Sequence, residues 1–84
     1  MKKYYDVTIH KGVNSEKNIC YNTKEKSFET LDEAVQWAET NWGRNIKIVG
    51  DIPEEYVGEV FRTWHDVDDV HFDLIVIRQM RKSS

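Results

Sequence analysis

The sequence predicts a small α+β domain: a mostly antiparallel sheet of four to five strands, with one main helix at about residues 30–42 lying on one face. Three observations predict it. Tyr5, Val7 and Ile9 alternate with Tyr4, Asp6, Thr8 and His10, the period of two of a half-buried strand. A complete helix signature, with start and stop signals, runs from Thr30 to Gly43. The run Leu74-Ile75-Val76-Ile77 is apolar on both faces, as expected of a strand in the middle of a sheet. Short strands with short connections favour a two-layer arrangement. The 84 residues fit a single domain, 1–84, and ten aromatics help so short a chain build one core.

The first strand is followed by a polar stretch, 12–17, that contains Gly12, Asn14 and Ser15 and reads as a loop. Residues 18–23 form a second short strand, with Ile19 and Tyr21 on one face and Cys20 on the other. A hairpin is the economical way to join the two.

Thr30-Leu31-Asp32-Glu33 matches a capping box, in which the Thr hydroxyl accepts from the amide of residue 33 and the Glu reaches back. Asp32 and Glu33 also suit the positive end of the helix dipole. Leu31, Ala34, Val35, Ala38 and Trp42 share one stripe, and Gly43 stands where a left-handed cap is needed. The small Ala34 and Ala38 let the helix lie close to a sheet.

Ile46, Ile48 and Val49, flanked by Gly43 and Gly50, read as a third strand. Residues 53–65 carry two signals. Pro53-Glu54-Glu55 is a good helix opening, and Tyr56, Val57, Val60, Phe61 and Trp64 share a helical face. Against this, Gly58 weakens a helix, and 60–64 is rich in strand formers. The expected order is β-β-α-β-(α or β)-β, with room for one parallel pair across the long link into the last strand. If the helix covers the Phe72/Leu74/Val76 face, Ile75 and Ile77 lie opposite, where a second helix or a second copy of the chain would cover them.

Charge is uneven along the chain. The total is −3, yet residues 51–73 hold eight acids and only Arg62 as a base, net −7. Residues 1–50 are net +1 and residues 74–84 net +3. An acidic stretch steers basic partners and competes with nucleic acid for a basic groove; the plain alternative is a solvated face. Trp37 lies off the apolar stripe of the helix, where it serves either as an interface anchor or as edge packing. The expected partner-binding set is Trp37, Glu54, Glu55, Glu59, Asp66, Asp68 and Asp69, facing a protein with a basic surface.

Other functions have weaker support. Lys2, Lys3, Arg78, Arg81 and Lys82, with Tyr4 and Tyr5 near them, would form a basic aromatic patch for nucleic acid if the first and last strands pair. His65 and His71 flank an Asp-rich stretch; across a hairpin turn the two would face each other and, joined by a carboxylate, would make the site of a metal-dependent enzyme, the second alternative, but the spacing fits no established loop, and turn chemistry is the plainer account of the aspartates. Phosphate-loop, nucleophile-elbow and zinc-protease motifs are missing, and nothing local marks Cys20 as activated. The expectation is therefore a protein without catalytic residues, metal or cofactor. A lone cysteine fits a reducing, cytoplasmic setting, and no run of about 18 apolar residues is present to span a bilayer. The profile as a whole is similar to that of viral and mobile-element proteins that bind and block a host protein, a similarity of composition only.

Overall fold

The computed structural model describes residues 2–13 and 19–82, and the side chains of 19–21 are not among those described. The elements are β1 (Lys2–Val13), β2 (Ile19–Phe28), α1 (Leu31–Trp42), β3 (Gly58–Asp66) and β4 (His71–Lys82). The strands form one sheet in the order β2-β1-β4-β3, and every pairing is antiparallel. Among the described residues no parallel pair forms, because the link from α1 to β3 runs back to the sheet edge rather than crossing over. The α+β class and the central place of the last strand stand as read from the sequence. The expected faces of Ile19, Cys20 and Tyr21, and most of the 12–17 loop, lie outside the described residues, while Gly12 and Val13 belong to β1.

The helix forms as its local signals dictate. Thr30 is extended, accepts from the Glu33 amide at 3.2 Å and donates its hydroxyl to Glu33 Oε1 at 2.9 Å. Gly43 ends the helix at φ 82°, and its N–H donates to the Glu39 carbonyl at 2.8 Å. Among the described residues no helix is long and apolar enough to cross a membrane.

The covered face of the sheet is the opposite of the one expected. Val7 pairs with Ile77, Ile9 with Ile75 and Tyr5 with Gln79. This register puts the apolar set of β1 on the same face as Ile75 and Ile77, and the core consists of these residues with Ala34, Ala38 and Ile46. Ile75 and Ile77 are therefore fully buried under α1 and the segment that follows it, and they offer no surface to a homodimer. The uncovered face carries Tyr4, Asp6, Thr8 and His10 opposite Met80, Arg78, Val76 and Leu74. Phe72 on that face is buried by Trp64, whose ring stacks on it at 4.1 Å between centroids.

Residues 46–49 are not a strand. Ile46 is buried in the core, and its N–H donates to Glu39 Oε2 at 2.8 Å rather than to a neighbouring strand. Val49, 86 % exposed, has no core role. The apolar pattern there marks a plug in the core, not a ladder. Residues 53–56 form a turn closed by the Tyr56 amide on the Pro53 carbonyl at 3.1 Å. Helix then gives way to strand at Gly58, whose φ of 143° is foreign to a helix and to most side chains. The strand formers after it gain β4 as a partner, which outweighs the helical opening at Pro53.

One buried polar side chain fastens the irregular segment to the sheet. Gln79 Oε1 accepts from the Tyr5 hydroxyl at 3.0 Å. Its Nε2 donates to the carbonyls of Pro53 and Tyr56, each at 2.9 Å, with Glu54 O at 3.3 Å sharing the donation. Nothing in the local sequence singles Gln79 out; its cue is that it continues the Ile75/Ile77 phase.

Candidate functional site: the hairpin end of the sheet

β3 and β4 are joined by residues 67–70. The Val67 amide donates to the His71 carbonyl at 2.9 Å, closing the turn. Asp68 organises it from within: its Oδ1 accepts from the amides of Val70 and His71, both at 2.7 Å, and its carboxylate meets His71 Nδ1 at 3.0 Å. These bonds stabilise the ionised carboxylate. The Val70 amide contributes most, then that of His71, and together they hold Asp68 below its ordinary carboxylate pKa.

A depressed acid stabilises the fold above its unfolded pKa, and that contribution is lost as pH falls through the lower, folded value. The turn is therefore expected to loosen below about pH 4, with lower protection of the Val70 and His71 amides against exchange, relative to their intrinsic rates. Asp68→Asn should show that lower protection at neutral pH as well. Exchange rates measured by NMR from pH 7 down to pH 2.5 check both; rates at these amides that follow the rest of β4 would refute the assignment.

The end of the sheet combines acidic and apolar exposure. Trp64, Val67 and Val70 are 46 %, 53 % and 48 % exposed, and Asp66, Asp68 and Asp69 are exposed among them. Trp64 Nε1 donates to Asp66 Oδ1 at 3.0 Å, which holds the indole and the carboxylate side by side on the uncovered face. Trp64 is not in the set expected to bind a partner, because the helical reading of 53–65 groups it with Tyr56, Val57, Val60 and Phe61 on one apolar face.

The other expected site residues lie elsewhere. Glu54 and Glu55 share a recess of about 170 Å³ with Lys3 and Arg81. That is the opposite end of β4, about 30 Å from the Phe72 position that pairs with Asp66, at ~3.3 Å per residue. Glu59 accepts from Arg62 Nη1 at 3.0 Å and has Arg78 Nη2 at 3.9 Å, so its charge is largely offset. Trp37 is half-buried on the β2 side of the helix, with its ring 5.7 Å from that of Phe28. The acidic residues of the expected set are thus divided among three places: Glu54 and Glu55 beside Lys3 and Arg81, Glu59 beside Arg62 and Arg78, and Asp66, Asp68 and Asp69 at the hairpin.

No family model, curated protein or solved structure matches the chain.

The two histidines of the metal-like stretch do not face each other. His65 pairs with Asp73 across β3 and β4, and its Nδ1 is enclosed without a hydrogen-bond partner. His71 instead turns its Nδ1 to Asp68. Among the described residues no three His, Cys, Asp or Glu side chains converge as metal ligands. The side chain of Cys20 lies outside the described residues.

At the far end of the sheet the basic residues do meet. Lys2 stands opposite Lys82 and Lys3 opposite Arg81, and Lys82 Nζ lies 6.0 Å from the centre of the Tyr4 ring. The dimensions of the chain, 42 × 24 × 19 Å, separate this basic end from the acidic hairpin.

Proposed function

We propose that the protein is a non-catalytic binding protein, an inhibitor or adaptor, that occludes a partner protein with a basic surface through the β3–β4 hairpin end. One observation supports the reading above all: exposed Trp64, Val67 and Val70 stand among Asp66, Asp68 and Asp69. Apolar groups supply area to bury, and a ring of carboxylates chooses a cationic counterpart and speeds encounter. A basic groove that holds nucleic acid is the kind of surface such an end would block.

The test uses Asp66→Lys with Asp69→Lys, and leaves Asp68 in place because it holds the turn. In pull-downs with the tagged full chain, basic proteins retained by the wild type and released by salt should be retained about tenfold less by the double variant. Equal retention would remove the reading.

A second reading, binding of single-stranded nucleic acid, is favoured by the register that sets Lys2 and Lys3 opposite Lys82 and Arg81 beside Tyr4. Glu54 and Glu55 offset part of this charge. Titration of a labelled oligonucleotide at low salt decides: binding that weakens with added salt supports the basic end, and no binding eliminates it.

A further inference from the structure

The helix does not roof the whole of the covered face. α1 packs chiefly on β1 and β2, which leaves the β3 side of that face to the segment after Gly43. Between that segment and β3 lies an open groove of about 850 Å³, within the size range of small-molecule sites. Phe61 and Thr63 line it from β3; they pair with Ile77 and Ile75 and so stand on the covered side. Trp42, the last residue of α1, lines it from the helix.

The local sequence sets the polar part of the lining. Gly43 turns the chain out of the helix, and Ile46 is pulled into the core, its amide held by Glu39 Oε2 at 2.8 Å. Arg44, Asn45 and Lys47 on either side of Ile46 are therefore left exposed along the groove. Among the described residues neither Arg44 nor Lys47 pairs with a carboxylate, although the chain is net −3. The Arg44 guanidinium lies 5.9 Å from the centre of the Trp42 ring, a contact that uses none of its N–H donors.

We propose that this groove binds a free mononucleotide, with the phosphate on Arg44 and Lys47 and the base against the aromatic rings of Trp42 and Phe61. Three features of the lining choose that class. Two uncommitted cations three residues apart match a phosphate monoester, whose charge is about −1.5 to −2, better than a single carboxylate. Half-buried aromatic rings give a flat base a surface to stack on, whichever base it is. Glu39 keeps Oε1 to accept from ribose hydroxyls, and it holds the negative end of the site together with the C-terminus of α1. A ligand anionic at one end and rich in hydroxyl donors at the other fits this polarity, whereas a simple anion does not. Because that end is negative, both cations are needed to hold the phosphate.

The site goes beyond the capture reading and does not rest on it. It is on the covered side of the sheet, and it shares no residue with the acidic hairpin or with the basic end. Loss of partner capture in hairpin variants therefore leaves it untouched.

Titration of the purified full chain with adenosine monophosphate, followed by two-dimensional NMR, tests it. Saturable shifts in the sub-millimolar range are expected at the amides of Gly43–Lys47 and Phe61–Thr63. The Trp42 indole N–H, enclosed and without an acceptor in the free protein, should shift with them. Adenosine and inorganic phosphate each supply half of the ligand and should bind at least about tenfold more weakly. Arg44→Gln and Lys47→Gln change exposed side chains, so each variant should melt with the wild type yet bind the nucleotide about tenfold less tightly. No saturable shift at millimolar nucleotide, shifts centred instead on Lys2, Lys3, Arg81 and Lys82, or inorganic phosphate that binds as well as the nucleotide would overturn the proposal. So would variants that bind as tightly as the wild type.

Discussion

Gln79→Leu is expected to lower the melting temperature by about 12–24 °C. The substitution preserves approximate bulk and removes four polar contacts at once. It leaves the Tyr5 hydroxyl and the Tyr56 carbonyl without the partner they have now, while the Pro53 carbonyl keeps only the Tyr56 amide. Each buried polar group so orphaned costs ~1–3 kcal/mol, and water reaching the exposed 53–56 turn recovers part of that, so a net loss of about 3 kcal/mol is the reasoned figure. In a domain of this size each kcal/mol moves the midpoint by ~4–8 °C. A thermal melt followed by circular dichroism gives the answer. Gln79→Glu separates hydrogen bonding from packing: it keeps the shape and replaces the donor with an acceptor, and should be at least as damaging at neutral pH. A leucine variant that melts with the wild type would mean that the 53–56 segment is not held by this side chain.

Ile77→Ala should cost about 2–5 kcal/mol, whereas Leu74→Ala should cost only ~1 kcal/mol. The contrast tests which face of β4 is the core. Ile77 is fully enclosed among Val7, Ala34 and their neighbours, where a lost side chain leaves a cavity. Leu74 is half-buried on the face that no helix covers, and its site opens to solvent. Urea titration measures both, and two similar costs would show that the faces are not so unequal.

The helix was legible in full because its signals are local. Thr30 and Glu33 bond each other, and Gly43 acts on the turn just before it. The central position of β4 was legible because 74–77 is apolar on both sides. Its orientation was not, since either face of that run could be the core. The choice is made by register with β1, where Val7 and Ile9 must lie beside Ile77 and Ile75. Ile46 and Ile48 misled for a related reason: an isolated pair of apolar residues two apart serves a plug as well as a strand. For 53–65, Pro53 spoke for a helix locally, while the partner that makes β3 a strand lies beyond the turn. The acidic stretch was legible as a count but not as a surface. Glu54 and Glu55 end up beside Lys3 and Arg81, residues from the two ends of the chain that no linear window connects.

The order β2-β1-β4-β3 places the first and last strands together at the centre. Each flanking hairpin is local, but neither encloses the core alone, because that core needs Val7 and Ile9 beside Ile75 and Ile77. Almost the whole chain must therefore close into a loop before hydrophobic burial rewards it, the condition that slows a small domain towards the millisecond-to-second range. During synthesis the consequence is sharper: until β4 has left the ribosome, β1 shows a bare apolar edge, and the nascent chain depends on chaperones or on speed to keep it from pairing elsewhere.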